Sequence, residues 1–360
     1  MDKCPNEILS LIFAEACTDD GLTGRSLSLV SRRTRDTSRR YALQSVALYG
    51  SYQLSAFASL LDKADLEDRH VCHLYLTDRR RVWMEYLPGQ DREEWLTERM
   101  ATDFHVNDPW RKYSFSAIQR ILKTVAPTVQ TLTLLLFDRY DEQPLSDAVP
   151  FPKLRDLTIH GSNMTHAVHS ELPQCMSLRR LHVIHDYDFR KPITKAVSWL
   201  SPLLTHLRIS RLVLIPIVSS DLLRGLERML QHDDLASTAF PPTLKRVLVQ
   251  MLPQGLYDKN GYGVLRMFTL PMVYQLRDVA MRDVRRRIVF LKPGMWNPAE
   301  AMTGENSDVH FYMGIKAAWE QRMVESESTV WDVDPPSVLA SYGYCAEGEY
   351  WDRAVDFSCS

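Results

Sequence analysis

Few residues in this chain have the type and spacing that bind a metal or attack a substrate. His70-Val71-Cys72-His73 puts three ligating side chains into four residues. A finger-type zinc site needs a second ligand pair a loop away, and none follows, so these read as ordinary strand side chains. His160, His166, His169, His182 and His185 lie close together in the sequence. In the periodic pattern described below, His160 and His182 fall at solvent-facing strand positions. There is no G-x-S-x-G elbow, no G-x-x-x-x-G-K phosphate loop and no H-E-x-x-H pair. Asn163-Met164-Thr165 has the form of a glycosylation acceptor, which matters only in a secreted chain. No enzyme is expected here, and no cofactor or metal.

The chain's 360 residues suffice for about two domains. An apolar share of 45% with 24% charged residues is the composition of a globular protein. Apolar runs such as 212–218 stop far short of the ~20 residues a membrane-spanning helix needs. Met1-Asp2-Lys3-Cys4-Pro5 lacks the basic-then-apolar build of a signal peptide. The six cysteines form no C-x-x-C pair, which suits reduced thiols. The expectation is a cytoplasmic or nuclear protein with no membrane partner. The tri-arginine runs at 79–81 and 285–287 are too short to specify nuclear import.

The net charge of −2 hides an asymmetry, because residues 325–360 hold eight acids and one base. Arg25, Arg32, Arg33, Arg35, Arg39 and Arg40 are opposed within 25–40 by Asp36 alone. This arginine group reads as a solvated helical face. Nucleic-acid binding would need a basic stripe with stacking aromatics, which the chain lacks.

The strongest signal is an internal repeat. An apolar-x-x-apolar-x-apolar pattern recurs as Val129/Leu132/Leu134, Leu154/Leu157/Ile159, Leu178/Leu181/Val183 and Leu204/Leu207/Ile209, at intervals of about 25 residues. Leu244/Val247/Val249 follows. Weaker copies are Leu276/Val279/Met281, Val71/Leu74/Leu76 and Leu43/Val46/Leu48. Pro127, Pro152, Pro202 and Pro242 each stand two residues before a copy, where proline ends a helix and favours extended backbone. Helical spacing marks 116–125, 194–200 and 221–230 between the copies. Strand, helix, proline and strand at this period make a leucine-rich-repeat unit, and such units bury their apolar faces only by stacking. The asparagine ladder is missing: Asp138, Asn163 and Asp186 are loosely placed. The expected fold is therefore α/β, an irregular solenoid of parallel strands with helical connections over residues 51–300.

Residues 1–50 read differently. Pro5-Asn6-Glu7-Ile8-Leu9 with Ile12-Phe13, then Leu27 and Val30-Ser31-Arg32 with Arg35, predict three short helices. The order of these residues resembles an F-box-like domain, and the wording is similar to F-box-like proteins multiplied in mushroom-forming fungi. The resemblance spans about 45 residues, with Cys4 in place of the usual leucine. It implies a subunit that docks on the Skp-type adaptor of a cullin–RING (SCF-type) ubiquitin ligase and presents a protein substrate, the chemistry belonging to other subunits. Pro5, Ile8, Leu9, Ile12, Phe13, Leu27 and Val30 are the adaptor-binding candidates it implies. A repeat scaffold that recruits no ligase is the alternative.

In such strands the repeat leucines point inward and their alternating neighbours outward. Tyr75, Thr133, Asp156, Thr158, His160, Arg180, His182, His206, Arg208, Arg246 and Gln250 then share one polar face, rich in Arg and His, suited to an acidic or phosphorylated substrate segment. Residues 301–360 form the third region. Phe311, Ile315, Trp319 and Met323, four apart, predict a helix that caps the solenoid's end. The acidic, aromatic tail beyond is expected to pack on the basic face.

Overall fold

The computed structural model describes residues 4–81, 110–137, 145, 150–160, 175–185, 192–212, 216–231, 240–251, 263–291 and 306–324. Eight strands form one sheet: β1 (Ser45–Tyr49), β2 (His73–Thr77), β3 (Thr131–Leu135), β4 (Asp156–His160), β5 (Arg180–Ile184), β6 (His206–Leu212), β7 (Arg246–Met251) and β8 (Ile288–Leu291). Their spatial order is their chain order, and every neighbouring pair is parallel. A sheet of this kind forms when each crossover steps one strand along and returns on the same side, so the helices pile onto one face. The molecule is an α/β structure of solenoid-like type.

The repeat pattern sets the register. Val129, Leu154, Leu178, Leu204 and Leu244 are all buried, each two positions ahead of its strand. The turn before the last four closes the same way, with Leu154 N–H donating to Phe151 O, Leu178 to Cys175, Leu204 to Ser201 and Leu244 to Pro241. One carbonyl per unit then accepts two amides from the next: Gln130 O from Arg155 and Asp156, Arg155 O from Arg179 and Arg180, Arg179 O from Thr205 and His206, Thr205 O from Lys245 and Arg246. This ladder does the stacking for which a regular asparagine ladder was absent.

Among the described residues, five helices cover one face: α4 (Gly50–Lys63), α5 (Trp110–Val125), α6 (Ile193–Leu200), α7 (Pro216–Gln231) and α8 (Gly263–Arg282). Their inward stripes follow helical spacing, as in Ile118, Ile121, Leu122 and Val125 of α5. These residues join the strand leucines in one continuous core. The copy expected at Leu276/Val279/Met281 lies inside α8, with Met281 exposed. A three-residue apolar spacing suits a helix as well as a strand, and the eighth strand is the apolar run Ile288–Leu291 instead.

Ahead of the sheet stand α1 (Asn6–Ala16), α2 (Leu22–Val30) and α3 (Arg32–Ser38), with α1 and α2 packed on α3. Asp19 caps α2 through the amides of Gly21 and Thr23, and Ser31 caps α3 through Thr34 N–H. A Cβ on Gly24 would collide with the Ala42 carbonyl, so only glycine allows this close approach. β1 belongs to the sheet, so a boundary drawn at residue 50 falls after the first strand.

The last described helix, α9 (Asn306–Val324), does not cap the end of the sheet. It lies on the face opposite α4–α8. Ile315 and Trp319 share a second core with Tyr49 of β1, Tyr75 of β2, Leu135 of β3 and Ile184 of β5. An aromatic helix finds more apolar area on those side chains than on one terminal unit.

Candidate functional site

Two surfaces carry the residues of interest. The first is the outer side of α1 and α2. Leu9 and Phe13 are 4% and 1% exposed, turned inward with Cys17 one turn further on. Ile8, Leu11 and Ile12 lie on the opposite side at 46%, 65% and 48% exposure. Leu9 and Phe13 are therefore core residues of the module and are not available as docking anchors. Pro5 and Val30 are exposed, and Leu27 is partly covered. Leu11, Leu22 and Leu29 are exposed apolar residues that the motif reading passed over. The Leu9-Phe13-Cys17 spacing was the signal, since it fixes which side of α1 faces in.

The neighbouring arginines are exposed, as a solvated face would be, and three of them also bond to the protein. Arg33 donates to Asn6 Oδ1 and to the Cys4 carbonyl, tying α3 to the start of α1. Arg35 donates to Ser28 O, and Arg39 pairs with Asp65 and Asp68 beyond α4. Arg33 and Arg35 tie the module's own helices together, whereas Arg39 holds the module to the chain that follows it. Gln44 does the same through the Ala14 carbonyl.

The second surface is the sheet face beneath α9. Register places the eleven expected residues on one side: Tyr75 beside Thr133, Thr133 beside Thr158, Thr158 beside His182 and His182 beside Arg208, with Asp156, Arg180, His206 and Arg246 in the adjoining row. It is not the open surface that was expected. Tyr75, Thr133, Asp156, Thr158, His160 and His182 are buried, and Arg180, His206, Arg208, Arg246 and Gln250 are partly covered. Trp319 lies 5.7 Å from Tyr75, ring centre to ring centre. Tyr312 sits edge-on to Phe137 at 5.0 Å, its hydroxyl 3.4 Å from His160 Nε2. Arg211 of β6 reaches over Phe311 and Tyr312 at 5.3 and 5.8 Å. A strand covered on both sides reads as an apolar run, and Leu134-Leu135-Leu136-Phe137 was that signal.

The partly covered end of this face is cationic and ordered. Arg208 donates to Ser210 Oγ at 3.1 Å and to Gln250 Oε1 at 3.5 Å, and His182 Nε2 lies 2.9 Å from the same Ser210 hydroxyl. Arg180 is already paired with Asp156.

His73 turns to Thr131 across β2 and β3, Nδ1 to Oγ1 at 2.9 Å. Burial pushes its pKa down to about 4, against a smaller opposite pull from Asp156, so the ring is neutral at pH 7. Cys72 lies 3.6 Å from His70 Nδ1, and burial raises its thiol pKa. Among the described residues no three ligating side chains converge on a metal position. None of the described cysteines Cys4, Cys17, Cys72 and Cys175 is in a disulfide. No described helix is long and apolar enough to cross a membrane. Asn163, His166, His169, the Met323 side chain and the tail 325–360 lie outside the described residues. No family model, curated protein or solved structure matches this chain.

Proposed function

We propose that the chain is the substrate-recognition subunit of an SCF-type cullin–RING ubiquitin ligase, with an F-box-like module ahead of degenerate leucine-rich repeats. The observation that carries this reading is the exposed apolar stripe Ile8, Leu11 and Ile12 on α1. It stands in the segment whose order of residues resembles an F-box, on a module whose interior is already filled by Leu9, Phe13 and Cys17. A stripe at i, i+3 and i+4 is the form that inserts into a partner's hydrophobic groove. Leu22, Leu29 and Val30 extend the exposed apolar set on α2. The solenoid would hold the substrate through the face that carries His206, Arg208, Arg246 and Gln250.

The test is co-purification of the full chain from its own cells. A Skp-type adaptor and a cullin should come down with the wild type and be lost on Ile8→Asp with Ile12→Asp. Capture of other proteins with neither ligase subunit would favour a scaffold that recruits no ligase.

A further inference from the structure

The helix α9 returns from the far end of the sheet. Residues 292–305 separate it from β8, yet Phe311 meets Arg211 of β6 while Trp319 sits on Tyr75 of β2. The surface it covers is not built like the interior on the other side. Thr77, Thr131, Thr133, Asp156, Thr158, His160, His182 and Ser210 are all buried on this face, where the opposite face presents leucine, isoleucine and valine. A permanently covered face gains from apolar side chains, whereas hydroxyls and imidazoles suit one that also meets water.

The contact itself is mixed in quality. Trp319 is fully buried, and its indole N–H has no acceptor among the described residues, which weakens the docked state. Arg211, which stacks on Phe311 and Tyr312, holds a left-handed backbone at φ 56° where the β6–β7 register shifts. Lys316 is buried between Glu320 at 2.8 Å and Asp20 at 3.6 Å, and Asp20 belongs to the loop before α2. Its neighbour Asp19 caps α2, so the N-terminal module is linked to the docked position of α9.

We infer that α9 is a displaceable cover, latched by Lys316 to Asp20, and that the sheet face beneath it receives an amphipathic helical segment of a partner protein. That segment presents large apolar side chains four residues apart, as Phe311, Ile315 and Trp319 do. The inference rests on reading this face as the recruiting surface. Partner and α9 compete, and departure of α9 removes the cation beside Asp20.

Hydrogen exchange on the unmodified full chain tests the cover first. Amides of 306–324 should exchange at least about 100-fold faster than those of β2–β5, as a locally opening element does. Equal protection overturns the proposal. The latch is tested with a fluorescein-labelled peptide of residues 306–324. The Lys316→Asp chain should bind it about tenfold tighter than wild type, a typical coupling, and Asp20→Lys with Lys316→Asp should return binding to the wild-type level. Equal affinity for all three chains overturns the latch, and a stable dimer of Lys316→Asp with exchanged helices makes the occupant a second copy instead. If Lys316→Asp does not fold, the exchange rates decide alone. Adaptor binding is read at Ile8 and Ile12, so the ligase reading and this one fail separately.

Discussion

Arg180 and Asp156 face each other across β5 and β4 and close a two-pronged ion pair, with Nη2 2.8 Å from Oδ2. Asp156 is almost fully buried and Arg180 mostly so. One of the arginines expected to attract an acidic substrate is therefore neutralised within the sheet. The other arginines of this face lie on β6 and β7, at Arg208 and Arg246.

A buried ion pair is costly to halve and cheaper to remove whole. Asp156→Ala should destabilise the protein by about 3 kcal/mol or more, because it leaves a mostly buried guanidinium without its carboxylate. Adding Arg180→Ala should recover part of that loss. Chemical denaturation of the two variants checks this, and simple additivity would mean that the pair is not coupled.

His73 gives the fold a pH dependence with a definite sign. Its folded pKa is about 4, below the ordinary imidazole value of 6.5. Between those values the unfolded chain takes up a proton that the folded chain refuses. Its contribution to stability is thus full above pH 6.5 and is lost as the pH falls towards 4. The whole effect amounts to about 3 kcal/mol at most, from 1.36 kcal/mol per pKa unit. His73→Asn keeps a polar group near Thr131 and should flatten the stability curve across this window. An unchanged slope would show that His73 titrates normally.

The two sides of α1 should separate in stability measurements. Phe13→Ala empties a filled core position and should cost about 3–5 kcal/mol. Leu11→Ala and Ile12→Ala remove exposed side chains and should stay within about 0.5 kcal/mol of wild type. Thermal unfolding of the three variants checks this. Comparable losses at Phe13 and Ile12 would contradict the assigned orientation of the helix.

The solenoid was legible because its signal repeats. Five buried residues from Val129 to Leu244 hold the same place relative to their strands, and Pro127 and Pro202 each stand two residues past the end of a helix, α5 and α6. Leu276/Val279/Met281 misled because a single triplet carries no period. On α1, the motif's apolar residues include both core and surface positions, and only the helical phase set by Leu9, Phe13 and Cys17 divides them. The eleven polar strand residues share one side as the alternation predicts, but that side is covered where an open one was expected. Alternation along one strand says which residues share a face, but not whether a helix from much further along the chain returns to cover it. Tyr49 and Tyr75, aromatic at outward positions, hinted at that cover.

The most direct test of the central claim is the affinity of the purified full chain for a recombinant Skp-type adaptor. Titration calorimetry should give a Kd of about 1 μM or tighter for the wild type, about 8 kcal/mol of binding free energy. Ile8→Asp with Ile12→Asp should weaken it by at least about 30-fold, the loss expected of a central apolar anchor, with the thermal midpoint unchanged. A folded wild-type chain that shows no binding, or binding indifferent to both substitutions, would contradict the account.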